Sequence, residues 1–313
     1  MKQARVKENK FRNAKAAEKR KLFLISIPFL IFITAFSYVP LLGWVISFFK
    51  YYPGIPFSKM EFVGLKNFEA FFYNKKQVIT VVRNTFVLSG LIILTLPLPA
   101  IFAILLNEIR NLKFKKLVQT FSTIPYFISY VLLYLAFTTI LSPSDGMLNT
   151  LLVDNLGILD KPLNVLTNEK IAWTVQTATY LFKNLGYNAI LYLSAIASID
   201  TQLYEAAEVD GAGRFDKIWH ITVPGLLPTF VVLLVLQIGS VLSGAGFEQY
   251  YVFGNGMIMD KLEVIDTYTY KMGIVQGNYS FGTAMSMMKS VLSVGLMLIA
   301  NTLVKKIRGS SIF

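Results

Sequence analysis

The chain has 313 residues, of which 54% are hydrophobic and only 15% are charged, and it contains no cysteine. A soluble globular domain carries about 25% charged residues, so this composition indicates a polytopic membrane protein. The absence of cysteine excludes disulfides, iron–sulfur clusters and thiolate zinc sites. The net charge of +12 could suggest a nucleic-acid partner. We predict none, because the basic residues gather beside apolar runs.

The chain begins with a basic segment, residues 1–21, which holds nine Lys or Arg. A charge-free run, 22–49, follows it. This run is too long for the core of a signal peptide, and no small-residue cleavage site follows. We therefore predict a cytoplasmic N-terminal tail and an uncleaved first span that is long enough to cross the membrane tilted, or to bend near Pro40. The basic tail sets the topology and could also attract anionic membrane lipids.

A membrane-spanning helix needs about 20 predominantly apolar residues. Four charge-free runs meet this length, and two more are interrupted by a single lysine each. The predicted spans are 22–49, 84–107, 117–144, 171–199 around Lys183, 218–247, and 283–304 around Lys289. The predicted fold is therefore all-α, with six transmembrane helices. A single transmembrane domain would cover 22–306, and a cytoplasmic C-terminal tail 307–313.

The distribution of Lys and Arg between the spans predicts the orientation of the chain. Eighteen of them fall in the N-terminal tail, the 108–116 loop, the 200–224 loop and the C-terminal end, against ten in the longer segments on the other side. Positively charged residues favour the cytoplasmic side. Both termini and the 200–224 loop are therefore predicted to face the cytoplasm.

Polar side chains inside the predicted spans are candidates for a substrate pathway. Lys183 lies near the middle of the fourth span, Asn188 follows it, and Gln237 lies in the fifth. A lysine at this depth is costly unless it faces water, a partner or the bundle interior. Two interpretations stay open: these groups face a translocation cavity, or they are structural polar groups between helices. Lys289 lies near the outer end of its span and is expected to snorkel.

The 200–224 segment is predicted to form a helix, a break and a second helix. Asp200 suits an N-cap, and good helix formers follow it as far as Val209. Gly211 and Gly213 supply the backbone freedom for a sharp bend. Apolar residues then recur at helical spacing before a proline that can start the next helix: Phe215, Ile218, Trp219 and Pro224. Such an element would present a rigid, protruding pair of short helices to a partner.

The string EAAEVDGAGRF in this segment, followed by an apolar-rich helix and a proline, resembles the EAA loop of the permease subunits of ABC importers. In that family the loop forms a coupling helix, which sits in a groove of the ATPase subunit and passes its closure to the membrane helices. The residues carried over are Glu205, Ala206, Ala207, Asp210, Gly211, Ala212, Gly213, Phe215 and Pro224. The resemblance implies that Glu205 contacts the ATPase. The apolar residues would anchor the element to its own spans or fill the ATPase groove.

The outer segments carry a second resemblance. Three stretches are similar to the first-span exit of permeases from carbohydrate importers: Pro40–Gly43, Phe48–Pro53 and Phe62–Phe68. The string GLKNF in the last of them is the most typical of that branch. Their aromatic residues also suit a plain interfacial belt. Together with the EAA resemblance, they favour a sugar as cargo, specifically an oligosaccharide or polysaccharide fragment. The outer loop 248–282 is a candidate contact for an external binding protein, with a solvated connector as the alternative.

The resemblance implies a type I importer permease in the bacterial plasma membrane, working by alternating access. Its implied partners are ATP-binding subunits, a second homologous permease chain and an extracytoplasmic sugar-binding protein. ATP and Mg would be bound by the ATPase chain and no cofactor by this one. The first span would wrap outside a core formed by the other five.

Enzymatic chemistry finds no support in the sequence. His220 is the only histidine and has no second ligand at metal spacing, so we predict no metal site and no catalytic residues. No phosphate-binding Gly-x-x-x-x-Gly-Lys-Ser/Thr loop occurs. Two alternatives remain. One is an ion-coupled secondary transporter, which should show intramembrane carboxylates and inverted repeats. The other is a polytopic membrane enzyme acting on lipid-linked sugars.

Overall fold

The structure is a computed structural model that describes the backbone of residues 2–308 and the side chains of residues 18–306. Its α-helices are α1 (Lys2–Ile33), α2 (Lys66–Glu69), α3 (Lys75–Thr95), α4 (Pro97–Asn107), α5 (Leu112–Phe127), α6 (Tyr130–Leu141), α7 (Met147–Asn149), α8 (Ala172–Ala197), α9 (Thr201–Val209), α10 (Arg214–Lys217), α11 (Val223–Gly239), α12 (Phe247–Phe253), α13 (Met259–Leu262), α14 (Ile265–Tyr270) and α15 (Tyr279–Arg308). Short 3₁₀-helices cover Val39–Phe48, Phe57–Lys59, Ala70–Phe72 and Glu169–Ile171, and π-helical turns cover Thr34–Tyr38, Thr150–Asn155, Ile218–Thr222 and Lys271–Val275.

The all-α prediction is confirmed. Within residues 2–308 no strand forms, and the one β-type contact is an isolated bridge between Phe49 and Phe62. Residues 309–313 of the predicted C-terminal tail lie outside the described residues.

Long apolar helices account for most of the predicted spans. Among the described residues, four helical stretches are long and apolar enough to cross a membrane: Glu18–Phe48, Lys75–Asn107, Arg214–Gly239 and Tyr279–Lys306. The bent pair α5 and α6 makes a fifth if it counts as one span. The remaining predicted span, the fourth (171–199), corresponds to α8, whose 26 residues would reach about 39 Å. Because α8 carries several polar residues, its place as a span remains a prediction.

The first span lies at the periphery of the bundle. None of its apolar window is buried, although its outer end, Val39–Phe48, packs against α15. The helix passes through a π-turn into a 3₁₀-helix around Pro40, because proline has no N–H to continue the α-helical pattern. The type of helix therefore changes near this proline, but Glu18–Phe48 continues as one helical stretch, and the bend stays a prediction.

The predicted third span, 117–144, is broken rather than continuous. Helix α5 ends at Phe127 and α6 begins at Tyr130, and their axes differ by 105°. Pro125 lies in the last turn of α5, and the Ser129 side chain caps α6 by accepting a hydrogen bond from the Leu132 N–H at 3.3 Å. A proline followed by an N-cap explains the break, which the unbroken apolar composition of the run conceals.

Helix α8 lies at the centre of the bundle, where it packs against α3, α4, α5 and α11. Its closest approach is at Gly186, where a Cβ atom would lie only 2.2 Å from the Ser122 carbonyl oxygen of α5. Glycine is therefore required for this contact, since no other residue lets two backbones come so close. Near the α9 end of α8, Ala189, Tyr192 and Ile196 form a buried cluster with α4 and α11.

The segment between α11 and α15 folds into the bundle. The predicted fifth span, 218–247, ends early, because α11 stops at Gly239 and residues 240–246 form turns. The short helices that follow bury Tyr250, Phe253 and Leu262. The buried amide of Asn84 in α3 donates to two backbone carbonyls of this segment at 3.0 Å. Much of the predicted outer loop 248–282 is therefore packed core, and the alternative of a solvated connector is wrong.

Replacing Gly186 with alanine tests the contact between α5 and α8. The added Cβ would force the two backbones apart, and such overpacking typically costs about 1–3 kcal/mol. We expect a clear fall in the melting temperature of the detergent-solubilised protein. Gly90→Ala in α3 is the matched control, because nothing lies within 4 Å of a Cβ at that helical position. Equal melting temperatures for the two variants would contradict this packing.

Candidate functional site

The first half of the 200–224 segment is a capped helix with a glycine stop. The Asp200 carboxylate accepts a hydrogen bond from the Gln202 N–H at 2.9 Å, which confirms it as the N-cap of α9. After α9, Gly211 has a φ of +80°. The N–H of Ala212 donates to the Ala207 carbonyl at 2.8 Å. This is the left-handed glycine termination of a helix, and it fixes where the chain turns.

The second half begins at Gly213, whose N–H donates to the Asp216 carboxylate at 3.0 Å. Gly213 has an ordinary φ of −72°, so the backbone freedom predicted for both glycines is used only at Gly211. The chain then runs through α10 and the π-turn Ile218–Thr222 into α11. Pro224 lies in the first turn of α11 and does not end the preceding helix, because the π-turn accommodates its missing N–H.

Polar contacts fix the segment to itself and to the neighbouring loop. Lys217 pairs with Glu208 at 2.5 Å across the bend, and this contact lowers the pKa of the Glu208 carboxyl. A carboxyl with a lowered pKa stabilises the fold fully above its ordinary pKa and loses that effect as the pH falls through the lowered value. The pair is therefore formed throughout the neutral range.

One further contact connects the segment to the helix bundle, and another connects its two halves. Arg214 pairs with Glu108, in the connection between α4 and α5, at 2.7 Å. The Tyr204 hydroxyl of α9 lies 2.9 Å from the Thr222 hydroxyl at the end of the π-turn. The two halves of the segment are therefore joined to each other, and the second half is also joined to the end of α4.

The outer surface of the segment is apolar. Val209, Phe215 and Trp219 are 89%, 86% and 69% exposed, and we call these three residues the apolar tip. Glu205 and Ala206 are also exposed, while Ala207 and Ala212 are half-buried. Phe215 and Trp219 lie at the beginning of the apolar stretch Arg214–Gly239, close to the bend at Gly211. Large apolar side chains exposed together at such a bend indicate a contact surface. Of the two predicted roles for Phe215 and Trp219, anchoring to the chain's own spans does not fit their exposure.

Two of the three intramembrane candidates line one cavity. Asn188 of α8 and Gln237 of α11 border a space of about 160 Å³, together with Tyr180, Tyr192 and Ser240. The Tyr192 hydroxyl is buried and has no hydrogen-bond partner among the described residues. The cavity thus offers amide and hydroxyl groups to a polar occupant.

Lys183 lies elsewhere, at the break between α5 and α6. Its ammonium donates to the carbonyls of Tyr126, at 2.8 Å, and of Ile128. Beside it, the rings of Tyr126 and Tyr187 stack with centroids 3.7 Å apart. The predicted grouping of Lys183 with Asn188 and Gln237 does not occur. The sequence does mark the break, by Pro125 and an N-capping serine four residues later, although both lie within an otherwise apolar run.

A second lysine within a predicted span has a carboxylate partner. Lys289 forms an ion pair with Asp266 rather than snorkelling, because the segment between α11 and α15 brings a carboxylate to its side. Within the part of the chain whose side chains are described, no three His, Asp or Glu residues group in a way that could hold a metal ion. The His220 ring nitrogen lies 3.0 Å from the backbone carbonyl of Asp216.

Comparison with known proteins gives consistent matches over the chain. Residues 95–309 match the family model described as binding-protein-dependent transport system inner membrane component. Protein LplB of Bacillus subtilis is 37% identical over 95% of this chain and 93% of its own length. The polygalacturonan/rhamnogalacturonan transport system permease protein YteP of the same organism is 37% identical over 96% of this chain and 92% of its own.

A solved structure matches the fold as well. It is a chain of a bacterial alginate ABC transporter, crystallised in complex with a periplasmic protein that holds an alginate pentasaccharide. That chain is 32% identical, with a TM-score of 0.83, over 96% of this chain and 99% of its own.

The left-handed backbone at Gly211 is open to a direct test. Gly211→Ala adds no clash, since nothing lies within 4 Å of the new Cβ, so its effect isolates the cost of the dihedral angle, about 1–2 kcal/mol. We expect faster trypsin cleavage after Arg214 and Lys217, because the bend opens more often. Gly213→Ala is the control, since its Cβ meets only the end of the Asp216 side chain at 3.2 Å. Equal cleavage rates in both variants would show that the bend does not depend on this glycine.

Proposed function

As the chain belongs to the family of binding-protein-dependent transport system inner membrane components, we propose that it is the permease subunit of a carbohydrate ABC importer, carrying an oligosaccharide or polysaccharide fragment. The observation that supports this most is the 200–224 segment. It is a rigid, two-helix element outside the spans that offers an apolar tip and the exposed Glu205 to another protein. This chain has no phosphate-binding loop, so ATP would be hydrolysed by a separate ATPase chain. The movements of that ATPase would then reach this chain through such a surface.

The proposed mechanism is alternating access. Closure of two ATPase subunits around ATP and Mg moves the 200–224 segment, with the apolar tip in a groove of the ATPase and Glu205 in polar contact. The small Ala206 and Ala207 allow a close approach, and the bend of Asp210, Gly211 and Ala212 holds the two helices at a fixed angle. The stretch Arg214–Gly239 carries the motion through Pro224 into the bundle, and Arg214 passes it to α4 through Glu108.

The remaining partners follow from the family. A second, homologous permease chain would complete the pathway, and an extracytoplasmic sugar-binding protein would deliver the cargo. We place both termini and the 200–224 segment in the bacterial cytoplasm, which the excess of Lys and Arg on that side supports. This chain itself would bind no cofactor.

The cargo is inferred from relatives named for saccharide transport, together with groups inside the bundle. Asn188 and Gln237 share a polar cavity in which sugar hydroxyls could replace the missing partner of Tyr192. The stacked rings of Tyr126 and Tyr187 offer an aromatic face, which suits the apolar side of a sugar ring. The contacts of Lys183 support its structural interpretation, so its effect on the pathway would be indirect.

Truncating the apolar tip tests the coupling role. The double variant Phe215→Ala/Trp219→Ala should lose the ATPase during purification, because buried aromatic residues at interfaces contribute about 2 kcal/mol or more each. The measurement is the amount of ATPase recovered with a tagged permease. Phe72→Ala, an exposed aromatic residue of the outer segment, should leave that amount unchanged. Full recovery of the ATPase with the double variant would remove the coupling assignment.

Truncating the cavity amides tests the proposed pathway. In liposomes containing the complete importer, Asn188→Ala and Gln237→Ala should each lower the rate of saccharide uptake about threefold to tenfold, the effect of one lost hydrogen bond. Saturating binding protein should be used, with a panel of acidic and neutral oligosaccharides. Ser194→Ala is the control, since that hydroxyl donates to its own helix. Unchanged uptake of every saccharide by both variants would exclude this cavity from the pathway.

A further inference from the structure

The break between α5 and α6 exposes backbone carbonyls inside the bundle. A helix end leaves its last carbonyls without intrahelical partners. The Pro125 carbonyl accepts from the Ile128 N–H at 3.2 Å, but the Tyr126 and Ile128 carbonyls point to no backbone donor. In an apolar surrounding each unsatisfied carbonyl is costly, so something must donate to them.

A single ammonium group meets this need. The Nζ of Lys183 lies 2.8 Å from the Tyr126 carbonyl, 3.4 Å from the Pro125 carbonyl and within hydrogen-bond distance of the Ile128 carbonyl. It also lies over the rings of Tyr126 and Tyr130, at 5.7 and 4.9 Å from their centroids. Three carbonyl oxygens match the three N–H donors of an ammonium, and both ring faces attract a positive charge.

No carboxylate forms an ion pair with this ammonium. Among the side chains of residues 18–306, the ion pairs within 4.0 Å involve other lysines and Arg214, and none involves Lys183. The direct contacts of the group are therefore carbonyl dipoles and ring faces, and Glu248 acts on it electrostatically only from a greater distance. A set of backbone carbonyls at a broken membrane helix is the chemistry with which secondary transporters bind Na⁺.

We propose that the break between α5 and α6 is a binding site for a monovalent cation, permanently filled by the tethered ammonium of Lys183. Tethering removes any dependence on dissolved ions and leaves no vacant position through which an ion gradient could be coupled. Lys183 is then a positioning residue. It holds the 105° bend, and with it the ring of Tyr126 that stacks on Tyr187.

The packing of α8 supports this arrangement. Gly186 lies one turn after Lys183 and brings the α8 backbone against Ser122 in α5, just before the break. This close approach places the α8 axis where a lysine side chain can reach the exposed carbonyls.

Chemical rescue tests the proposal in the purified importer. Lys183→Ala removes the atoms of one propylammonium ion and leaves the carbonyls in place. We expect its melting temperature to fall by several degrees and uptake to fall by roughly tenfold for each carbonyl left unsatisfied. Propylammonium chloride should restore both in a saturable way. Tetramethylammonium, which has charge but no N–H, and propanol, which has no charge, should not.

The controls separate the site from general effects of amines. Ser194→Ala removes a hydroxyl of the same helix that donates to that helix, and its melting temperature should not respond to propylammonium. A Lys183→Ala protein that responds equally to all three additives would overturn the proposal. So would a Lys183→Met protein with the melting temperature of the original chain. Because melting temperature requires no transport, this result is independent of the proposed cargo and coupling.

A third comparison covers the case in which Lys183→Ala cannot be purified. Lys183→Arg keeps the charge and several N–H donors, whereas Lys183→Met keeps only the length of the side chain. We expect Lys183→Arg to be recovered from membranes in folded form and Lys183→Met to be lost. Equal recovery of the two variants would contradict a requirement for a cation.

Discussion

The structure depends on the requirement that backbone polar groups find partners where no water is available. A regular helix meets this requirement by itself, but this bundle departs from regular helix in several places, and at two of them a buried side chain donates to the exposed carbonyls. At the break between α5 and α6, Lys183 donates to the exposed carbonyls. In the segment after α11, the Asn84 amide donates to the carbonyls of Asp260 and Glu263. In both cases a buried side chain from a regular helix completes the irregular one.

The break between α5 and α6 lies beside the stacked rings of Tyr126 and Tyr187. The regular helices α4, α8 and α11 pack together near the 200–224 segment. The bend of that segment is fixed by Gly211 and by the pair of Glu208 with Lys217. Its connections run to α4 through Arg214 and into α11 through the backbone. A displacement of the apolar tip would therefore reach two sides of the cluster formed by α4, α8 and α11. The fixed contacts of the 200–224 segment would transmit a movement of this segment to the helices. The irregular regions within the bundle are the places where the helices could then change their arrangement.

The sequence predicted the features that depend on local chemistry. Charge-free runs located the long apolar helices, and Asp200 and Gly211 were identified because capping and left-handed φ are properties of single residues. Features that depend on distant partners escaped prediction. The run 117–144 is apolar throughout, so its break at Pro125 does not change its composition. The partner carbonyls of Lys183 lie more than fifty residues earlier in the chain, and no periodicity reveals them. Residues 240–246 are apolar enough for a span, but they form turns.

The π-turn Ile218–Thr222 contains Trp219 of the apolar tip and lies between Phe215 and the first turn of α11. A π-turn contains one residue more than an α-helical turn, and each residue of an α-helix advances the azimuth by about 100°. The direction in which Phe215 faces, relative to the bundle, is thus set by a single additional residue. Removing one residue between Trp219 and Val223 would leave every side chain of the tip intact and rotate the tip by about a quarter of a circle. The angular position of the apolar tip around the helix axis, as much as its amino-acid composition, therefore determines which surface of a partner it can contact.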